Sequence, residues 1–354
     1  MKAKKVALVG CGRNSDTHLR VYAQNPEVDL VAVCDIEKGL AESKAKKFGA
    51  DSFYTSCEEL LSLDLDLIDI VTPTTTHADL AIKALEKGHN VLVEKPMAIS
   101  SRECDSMIGS ARRSGRSLTV MHNKRFYNSV IQTKEMLERE NLKPSRMRVA
   151  HFFIFGEVAG DWILNETSGG LLWDEMVHQV YLLQHFMGNA ERVYGLAKKI
   201  SSPVHDSITI LLQNDSGEGA GEYEWSSKTP LQTLQIFTKE GDRFDVDLDQ
   251  DFLVRWSGSR PTGTPRYLRR FDRDLSLPLL KWRSRRKLPS NHPVYGHLTP
   301  YKGTFATVIS ELISFLRGER DLPPIDPSEG LQAIRVLEAA RESIQSGRVE
   351  KISR

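Results

Sequence analysis

Apolar residues in the first third of the chain fall in short runs separated by stretches with helical spacing. Lys5–Val9 is one such run and stops at Gly10. The residues that follow carry Leu19, Val21 and Tyr22 as far as Asn25-Pro26. This pattern predicts strand, tight turn and helix, since a buried strand reads as a short apolar run and an amphipathic helix repeats every three to four residues. Leu30–Cys34 predicts a second strand ending at Asp35, and Lys38–Phe48, rich in charge and alanine, a surface helix. Strands at Leu67–Val71, Asn90–Val93 and Ser117–Met121 then alternate with helices at Thr76–Glu86 and Ser101–Arg113. Alternation at this pace predicts a parallel, doubly wound sheet over residues 1–122.

The pattern changes after His122. A helix is predicted at Val130–Glu140, a strand at Arg148–Phe155 and one continuous helix at Leu171–His185. Strands follow at Ser207–Gln213, Gly221–Trp225, Gln232–Thr238 and Arg243–Leu248 with no helix between them. Consecutive strands of this kind predict a second α/β domain, residues 123–354, built on a largely antiparallel open sheet. Helices at Phe305–Leu316 and Ser328–Gln345 close the chain and are free to pack back on the first domain; Gly347 ends the second of them.

Composition narrows the classes of function. The 354 residues, 40% hydrophobic and 27% charged, suffice for two globular domains. Lys plus Arg number 48 against 47 for Asp plus Glu, a formal charge of +1, so no global field draws the chain to nucleic acid or membrane. No stretch approaches the roughly 20 apolar residues of a membrane span, and the first strand begins too close to Met1 for a signal peptide, which predicts a cytoplasmic protein. Cys11, Cys34, Cys57 and Cys104 lack C-x-x-C spacing and are expected to be ordinary thiols. His205-Asp206, His292 and His297 lack ligand spacing, so no metal is expected.

Two groups of residues carry candidate chemistry. Gly10 and Gly12 follow a predicted strand and precede a predicted helix, where unpaired N–H groups suit a pyrophosphate and glycine lets it approach. Arg13 and Asn14 complete that turn. Ser15 stands where the G-x-G-x-x-G pattern has its third glycine, and is expected to loosen helix packing slightly. Asp35, twenty residues past Ser15, is placed to accept from ribose hydroxyls and to repel a 2′-phosphate, which favours NAD over NADP. The simpler alternative is that Asp35 only caps the helix Ile36–Phe48, with Arg13 or Lys38 still able to pair with a phosphate. The second group is Asp174 and His178. Four apart, they would share one helix face beside the flexible Gly169-Gly170 pair, and His178 titrates near neutrality as a general base should.

Glu94-Lys95-Pro96, after a short hydrophobic strand, belongs to an ordered series: Gly10-Cys11-Gly12, Val71-Thr72-Pro73 with His77, Asn123-Lys124-Arg125-Phe126, Ser168-Gly169-Gly170, Asp174 and His178, and the helix ending at Gly347. Over nearly its whole length the chain resembles the Gfo/Idh/MocA family, named for glucose-fructose oxidoreductase and inositol dehydrogenase. The resemblance implies an N-terminal Rossmann domain, a C-terminal α/β domain whose open sheet makes a homo-oligomer contact, and reversible oxidation of a secondary alcohol by a nicotinamide. It implies catalytic roles for Lys95, Asp174 and His178, with the Lys95-Pro96 bond in its less common isomer. It implies cofactor contacts for the glycine turn and Asp35, and also for Thr72, Pro73, His77, Glu94, Lys95, Pro96 and Asn123. The substrate would be met by Lys95, Asp174 and His178 with Arg125, Trp162 and Tyr181. Met176 and Tyr181 depart from the family pattern, which often has glycine and an acidic residue there; both bear on substrate fit.

One segment stands outside that pattern. Residues 266–287 carry nine Lys or Arg against two acidic residues, interleaved with Tyr267, Phe271, Trp282 and several leucines. It reads as a solvated loop or oligomer arm, as an anion-binding flap for a phosphorylated or nucleotide-linked substrate, or as a contact with acidic lipid. The expected function is an NAD(H)-dependent oxidoreductase interconverting a secondary alcohol and a ketone on a sugar, inositol or nucleotide sugar. The alternatives are a redox-cycling glycosidase, lyase or epimerase with tightly bound NAD, and a non-catalytic NAD-sensing protein.

Overall fold

The computed structural model describes residues 2–154, 170–257 and 300–353. Six strands, β1 (Lys4–Val9), β2 (Val28–Cys34), β3 (Ser52–Tyr54), β4 (Leu67–Ile70), β5 (Asn90–Val93) and β6 (Leu118–Val120), form a parallel sheet of order β3-β2-β1-β4-β5-β6. The order reverses between β1 and β4, so the crevice beyond their carboxyl ends is where an open α/β sheet takes a ligand. Its central strands are apolar without alternation because both faces are covered: Val6, Ala7, Leu8, Val91, Leu92 and Val93 are fully buried. The connecting helices are α1 (Ser15–Gln24), α2 (Lys38–Phe48), the single turn α3 (Cys57–Leu60), α4 (His77–Glu86) and α5 (Ser101–Ser114). β3 gave no signal in the apolar pattern: it is three half-buried residues at the sheet edge.

Among the described residues the chain divides into two compact units, and the division is not contiguous. Residues 2–123, 170–177 and 304–338 form the first, and the remainder the second. The first unit thus takes in α7 (Gly170–Asp174), most of α9 (Pro300–Leu316) and the first part of α10 (Pro327–Ser346). Gly330, near the start of α10, lies against the first sheet so closely that a Cβ there would sit 2.8 Å from Met97 Sδ and 2.9 Å from a methyl of Val120.

The second unit holds an eight-stranded sheet of order β13-β12-β11-β7-β10-β9-β8-β14. Its strands are β7 (Pro144–Ile154), β8 (Arg192–Lys198), β9 (Ser207–Asn214), β10 (Gly217–Glu224), β11 (Ser226–Thr238), β12 (Arg243–Asp247), β13 (Phe252–Trp256) and β14 (Glu350–Lys351). Every pairing is antiparallel except that of β7 with β10. Two helices of this unit are α6 (Asn128–Arg139) and α8 (Met176–Met187). β9 shows why the sheet has one dry face: Ile208, Ile210 and Leu212 are buried, while Leu211 between them is exposed. The dry face meets α8, where a Cβ on Gly219 would lie 2.9 Å from Leu183. The opposite face carries a shallow hollow of about 620 Å³ lined by residues such as Arg148, Tyr194, Leu211 and Gln235.

The largest departure from the sequence reading is the expected single helix Leu171–His185. It is two helices, α7 and α8, broken at Glu175. Strands β8, β13 and β14 were also absent from the pattern. The basic segment 266–287 and Trp162 lie outside the described residues.

The close approach at Gly330 makes a specific demand. Gly330→Val should lower the unfolding free energy by about 1–3 kcal/mol through overpacking against Met97 and Val120, read as a lower urea midpoint at unchanged m-value; an unshifted midpoint would contradict the packing described.

Candidate active site

The parallel sheet brings its candidate residues to one edge because each follows the carboxyl end of a strand: Gly10 after β1, Asp35 after β2, Thr72-Pro73 after β4, Glu94-Lys95-Pro96 after β5 and Asn123 after β6. Gly10 has φ +99°, and a Cβ there would stand 2.5 Å from the Val71 carbonyl oxygen, so only glycine lets β1 turn against β4. At Gly12 a Cβ would meet nothing within 4 Å. The turn is therefore closed on the protein side at Gly10 and open at Gly12, which fits a phosphate lying on backbone N–H groups. Ser15 does not loosen the helix as expected; it is fully buried and its hydroxyl donates to the Gly12 carbonyl, tying α1 to the turn. Arg13 and Asn14 are exposed on that turn, and Asn14 is the N-cap residue of α1 without a side-chain cap bond.

Asp35 does more than cap a helix. Its Oδ2 accepts from Cys11 N–H at 2.7 Å and its Oδ1 from Glu37 N–H at 2.9 Å, so one carboxylate braces the glycine turn and shapes the entry to α2, which begins at Lys38. Thr72 receives the Thr76 hydroxyl at 2.7 Å, and Pro73 precedes a 3₁₀ turn, Thr74–Thr76. His77, the first residue of α4, is 1% exposed; its ring nitrogens lie 2.9 Å from the Pro96 carbonyl oxygen and 2.8 Å from that of Thr72. Burial lowers its pKa, against the opposing pull of those carbonyls. His77 thereby joins the Thr72-Pro73 turn to the Lys95-Pro96 segment.

Lys95 donates from Nζ to both the carbonyl oxygen of Asp174, at 2.7 Å, and its Oδ1, at 2.8 Å. The lysine side chain is only 12% exposed. Burial alone would favour the neutral amine, but Asp174, Glu175 and Glu94 together raise its pKa and favour the ammonium. The Lys95-Pro96 peptide bond is cis. Glu94, 5% exposed, accepts Lys95 N–H through Oε2 at 3.0 Å.

Asp174, which gives its carbonyl oxygen to the Lys95 ammonium, is the last residue of α7, and α8 begins at Met176. Asp174 reaches Lys95, and His178 stands in the first turn of α8. His178 is 5% exposed, with Nδ1 2.7 Å from the hydroxyl of Tyr181. That hydroxyl also accepts Lys124 N–H at 3.1 Å, and Tyr181 is 3% exposed. Asn123 is buried and donates from Nδ2 to Thr304 at 2.9 Å, and Arg125 is half-buried.

The sequence reading missed a fully buried polar cluster of the first unit. His18 on α1 is inaccessible to solvent; its Nδ1 lies 2.7 Å from Asp69 Oδ2 and its Nε2 2.8 Å from Glu94 Oε1, while Tyr22 donates to the same Asp69 oxygen at 2.8 Å. Burial opposes the charged ring, but the two carboxylates raise its pKa to about 10. A signal was present. His18 sits on the buried stripe Ser15, His18, Leu19, Tyr22, and Asp69 interrupts the apolar strand Leu67–Ile70; each implies a buried partner.

An open parallel sheet with a glycine turn, a braced carboxylate at the end of β2 and a cationic side chain beyond β5 defines a dinucleotide-binding α/β protein. Residues 4–122 match the model of an oxidoreductase family with an NAD-binding Rossmann fold, and residues 134–352 match the C-terminal alpha/beta domain of the same family. The chain belongs to this family, Gfo/Idh/MocA. It is 26% identical over 221 residues to the D-apiose dehydrogenase of Paraburkholderia graminis, covering 61% of this chain and 59% of that protein. It is 27% identical over 235 residues to the scyllo-inositol 2-dehydrogenase (NAD(+)) of Bacillus subtilis, covering 64% and 68% respectively. The fold matches that of the WlbA dehydrogenase from Bordetella pertussis, solved in complex with NADH and UDP-GlcNAcA, with a TM-score of 0.82 at 20% identity over 100% of this chain and 99% of that one.

Two measurements check this geometry. Gly10→Ala should both destabilise the fold and abolish NADH binding, whereas Gly12→Ala should leave the thermal midpoint nearly unchanged and weaken NADH binding alone; equal effects of the two would contradict the open and closed sides of the turn. For His18, a folded-state pKa raised from 6.5 to about 10 means a stabilising contribution that is full below pH 6.5 and lost as pH rises through 10. Unfolding free energy measured between pH 6.5 and 10 should fall in the wild type with a slope that His18→Gln removes.

Proposed function

We propose that the protein is an NAD(H)-dependent oxidoreductase of the cytoplasm that interconverts a secondary alcohol and a ketone on a sugar, inositol or nucleotide sugar. The observation that carries this is the ammonium of Lys95, held by Asp174 at the carboxyl edge of the same sheet whose glycine turn is open at Gly12. The turn Gly10–Asn14, Asp35 and Thr72-Pro73 would hold the dinucleotide. Asp35, its oxygens already drawn to two N–H groups, keeps acceptor capacity for ribose hydroxyls and repels a 2′-phosphate, which favours NAD over NADP. The bound nicotinamide supplies a hydride acceptor or donor.

The chain's own residues supply the rest. The Lys95 ammonium stabilises the negative charge that develops on the substrate oxygen, and Asp174 keeps that ammonium charged and aimed. With Lys95 engaged by Asp174 as an ammonium, His178 takes the hydroxyl proton; Nε2 is the accepting atom in the tautomer whose Nδ1–H donates to Tyr181. Tyr181, buried against that ring, orients His178. The names of the D-apiose and scyllo-inositol relatives support a polyol or sugar substrate, and the UDP-GlcNAcA complex supports a nucleotide-linked one. A second copy of the chain would cover the open face of the eight-stranded sheet, giving a homo-oligomer.

The test is nicotinamide absorbance with NAD⁺ against a panel of free sugars, inositols, sugar phosphates and nucleotide sugars, with product mass. One class should give stoichiometric NADH and a ketone two mass units lighter. Lys95→Met should then lower kcat by about 10²–10³-fold and His178→Ala by about 10²–10⁴-fold. Cleaved or epimerised product without NADH would overturn net oxidation, and unchanged kcat in either variant would remove that residue from the chemistry.

A further inference from the structure

His18, Asp69 and Glu94 form a closed buried cluster that the proposed reaction does not use. Its proton inventory follows from the distances. Each ring nitrogen of His18 lies within 2.8 Å of a carboxylate oxygen, and a carboxylate only accepts, so satisfying both contacts requires two ring N–H groups. Asp69 Oδ2 also takes the Tyr22 hydroxyl, and its Oδ1 is buried with no hydrogen-bond partner among the described residues, so Asp69 depends on His18 and Tyr22. The groups facing the ring are Asp69 from β4, Glu94 from the end of β5, Tyr22 from its own helix, and the ring of Phe305 from α9 at 5.2 Å. Glu94 in turn faces Lys95 and His77 electrostatically.

A buried cluster of two acids and one base is costly to assemble and is weak evidence for stability alone. What it does here is directional. Oε1 of Glu94 is taken by His18, which leaves Oε2 to accept Lys95 N–H at 3.0 Å. The lysine whose backbone is so fixed then reaches Asp174 with Nζ.

We propose that His18 is a positioning residue for Lys95: as an imidazolium clamped between Asp69 and Glu94, it fixes the carboxylate that orients the Lys95 peptide, and so links the helix that follows the glycine turn to the ammonium of the site. This rests on the role of Lys95 given above. The clamp works through geometry rather than contact with substrate, so its loss displaces a charge that must be aligned to within a fraction of an ångström.

The test uses the full-length protein in three forms: wild type, His18→Gln and Glu94→Gln. Nitrogen-15 NMR of the histidine rings, with the His18 signal assigned by its absence in His18→Gln, should show both His18 nitrogens protonated from pH 6 to pH 9. In Glu94→Gln the same ring should lose its proton at lower pH. A neutral His18 ring at pH 7, or a titration unmoved by Glu94→Gln, would overturn the clamp. Carbon-13 at Cε of lysine, assigned with Lys95→Arg, should show the Lys95 signal shifted in both clamp variants; an unmoved signal would overturn the positioning role whether or not a substrate has been found. With the substrate class in hand, His18→Gln should lower kcat by about 10²-fold with KM and NADH affinity within a few-fold of wild type. Unchanged kcat, or a loss confined to NADH affinity, would overturn it. Failure of the wild type to oxidise any alcohol would instead count against the dehydrogenase reading and leave the NMR result standing.

Discussion

The constraint on which the first unit's site depends is the cost of keeping a nearly buried ammonium on Lys95. An ion withdrawn from water loses several kcal/mol unless an opposite charge and hydrogen-bond acceptors replace the solvent. Asp174 supplies both, a carboxylate and a main-chain carbonyl. α7 ends at Asp174, and α8 follows from Met176 with His178 in its first turn.

Burial also decides what was legible in the sequence. The parallel sheet could be read because its strands, covered on both faces, are unbroken apolar runs such as Val91-Leu92-Val93; β3, half-buried at the edge, leaves no such run. In the second sheet Ile208, Ile210 and Leu212 alternate with polar or exposed neighbours and announce a strand. β8 and β13 show only fragments of that alternation, and β14 is two residues long. The break at Glu175 could not be read locally at all. Leu171–His185 has uninterrupted helical composition, and no glycine or proline within it marks the junction.

The site shows the same division. Gly10, Asp35, Lys95 and Asp174 were recognisable because each follows a strand end or a motif. Asp35 still held a surprise, since its carboxylate braces Cys11 N–H as well as standing where ribose hydroxyls would be met. The signal for His18 lies in two elements at once: a histidine among Ser15, Leu19 and Tyr22 on a buried stripe, and an aspartate inside Leu67–Ile70, each violate local polarity rules in ways that cancel only when paired. Two violations of that kind in neighbouring elements are a stronger signal than either alone, because each buried polar group must find a partner.

Buried charge in the first unit is arranged in two tiers. Asp69, His18 and Glu94 are sealed from solvent or nearly so, and Lys95 with Asp174 stands at the accessible edge. Glu94 belongs to both tiers, one oxygen to each. A purely apolar filling behind Lys95 would be the cheaper way to stabilise the fold, since replacing buried ion clusters with packed hydrophobic groups is often neutral or stabilising. What an apolar filling lacks is direction: it cannot assign one oxygen to a helix and the other to a particular peptide N–H. The cluster therefore makes physical sense as a device for orientation, and orientation is what electrostatic stabilisation by a single fixed cation requires.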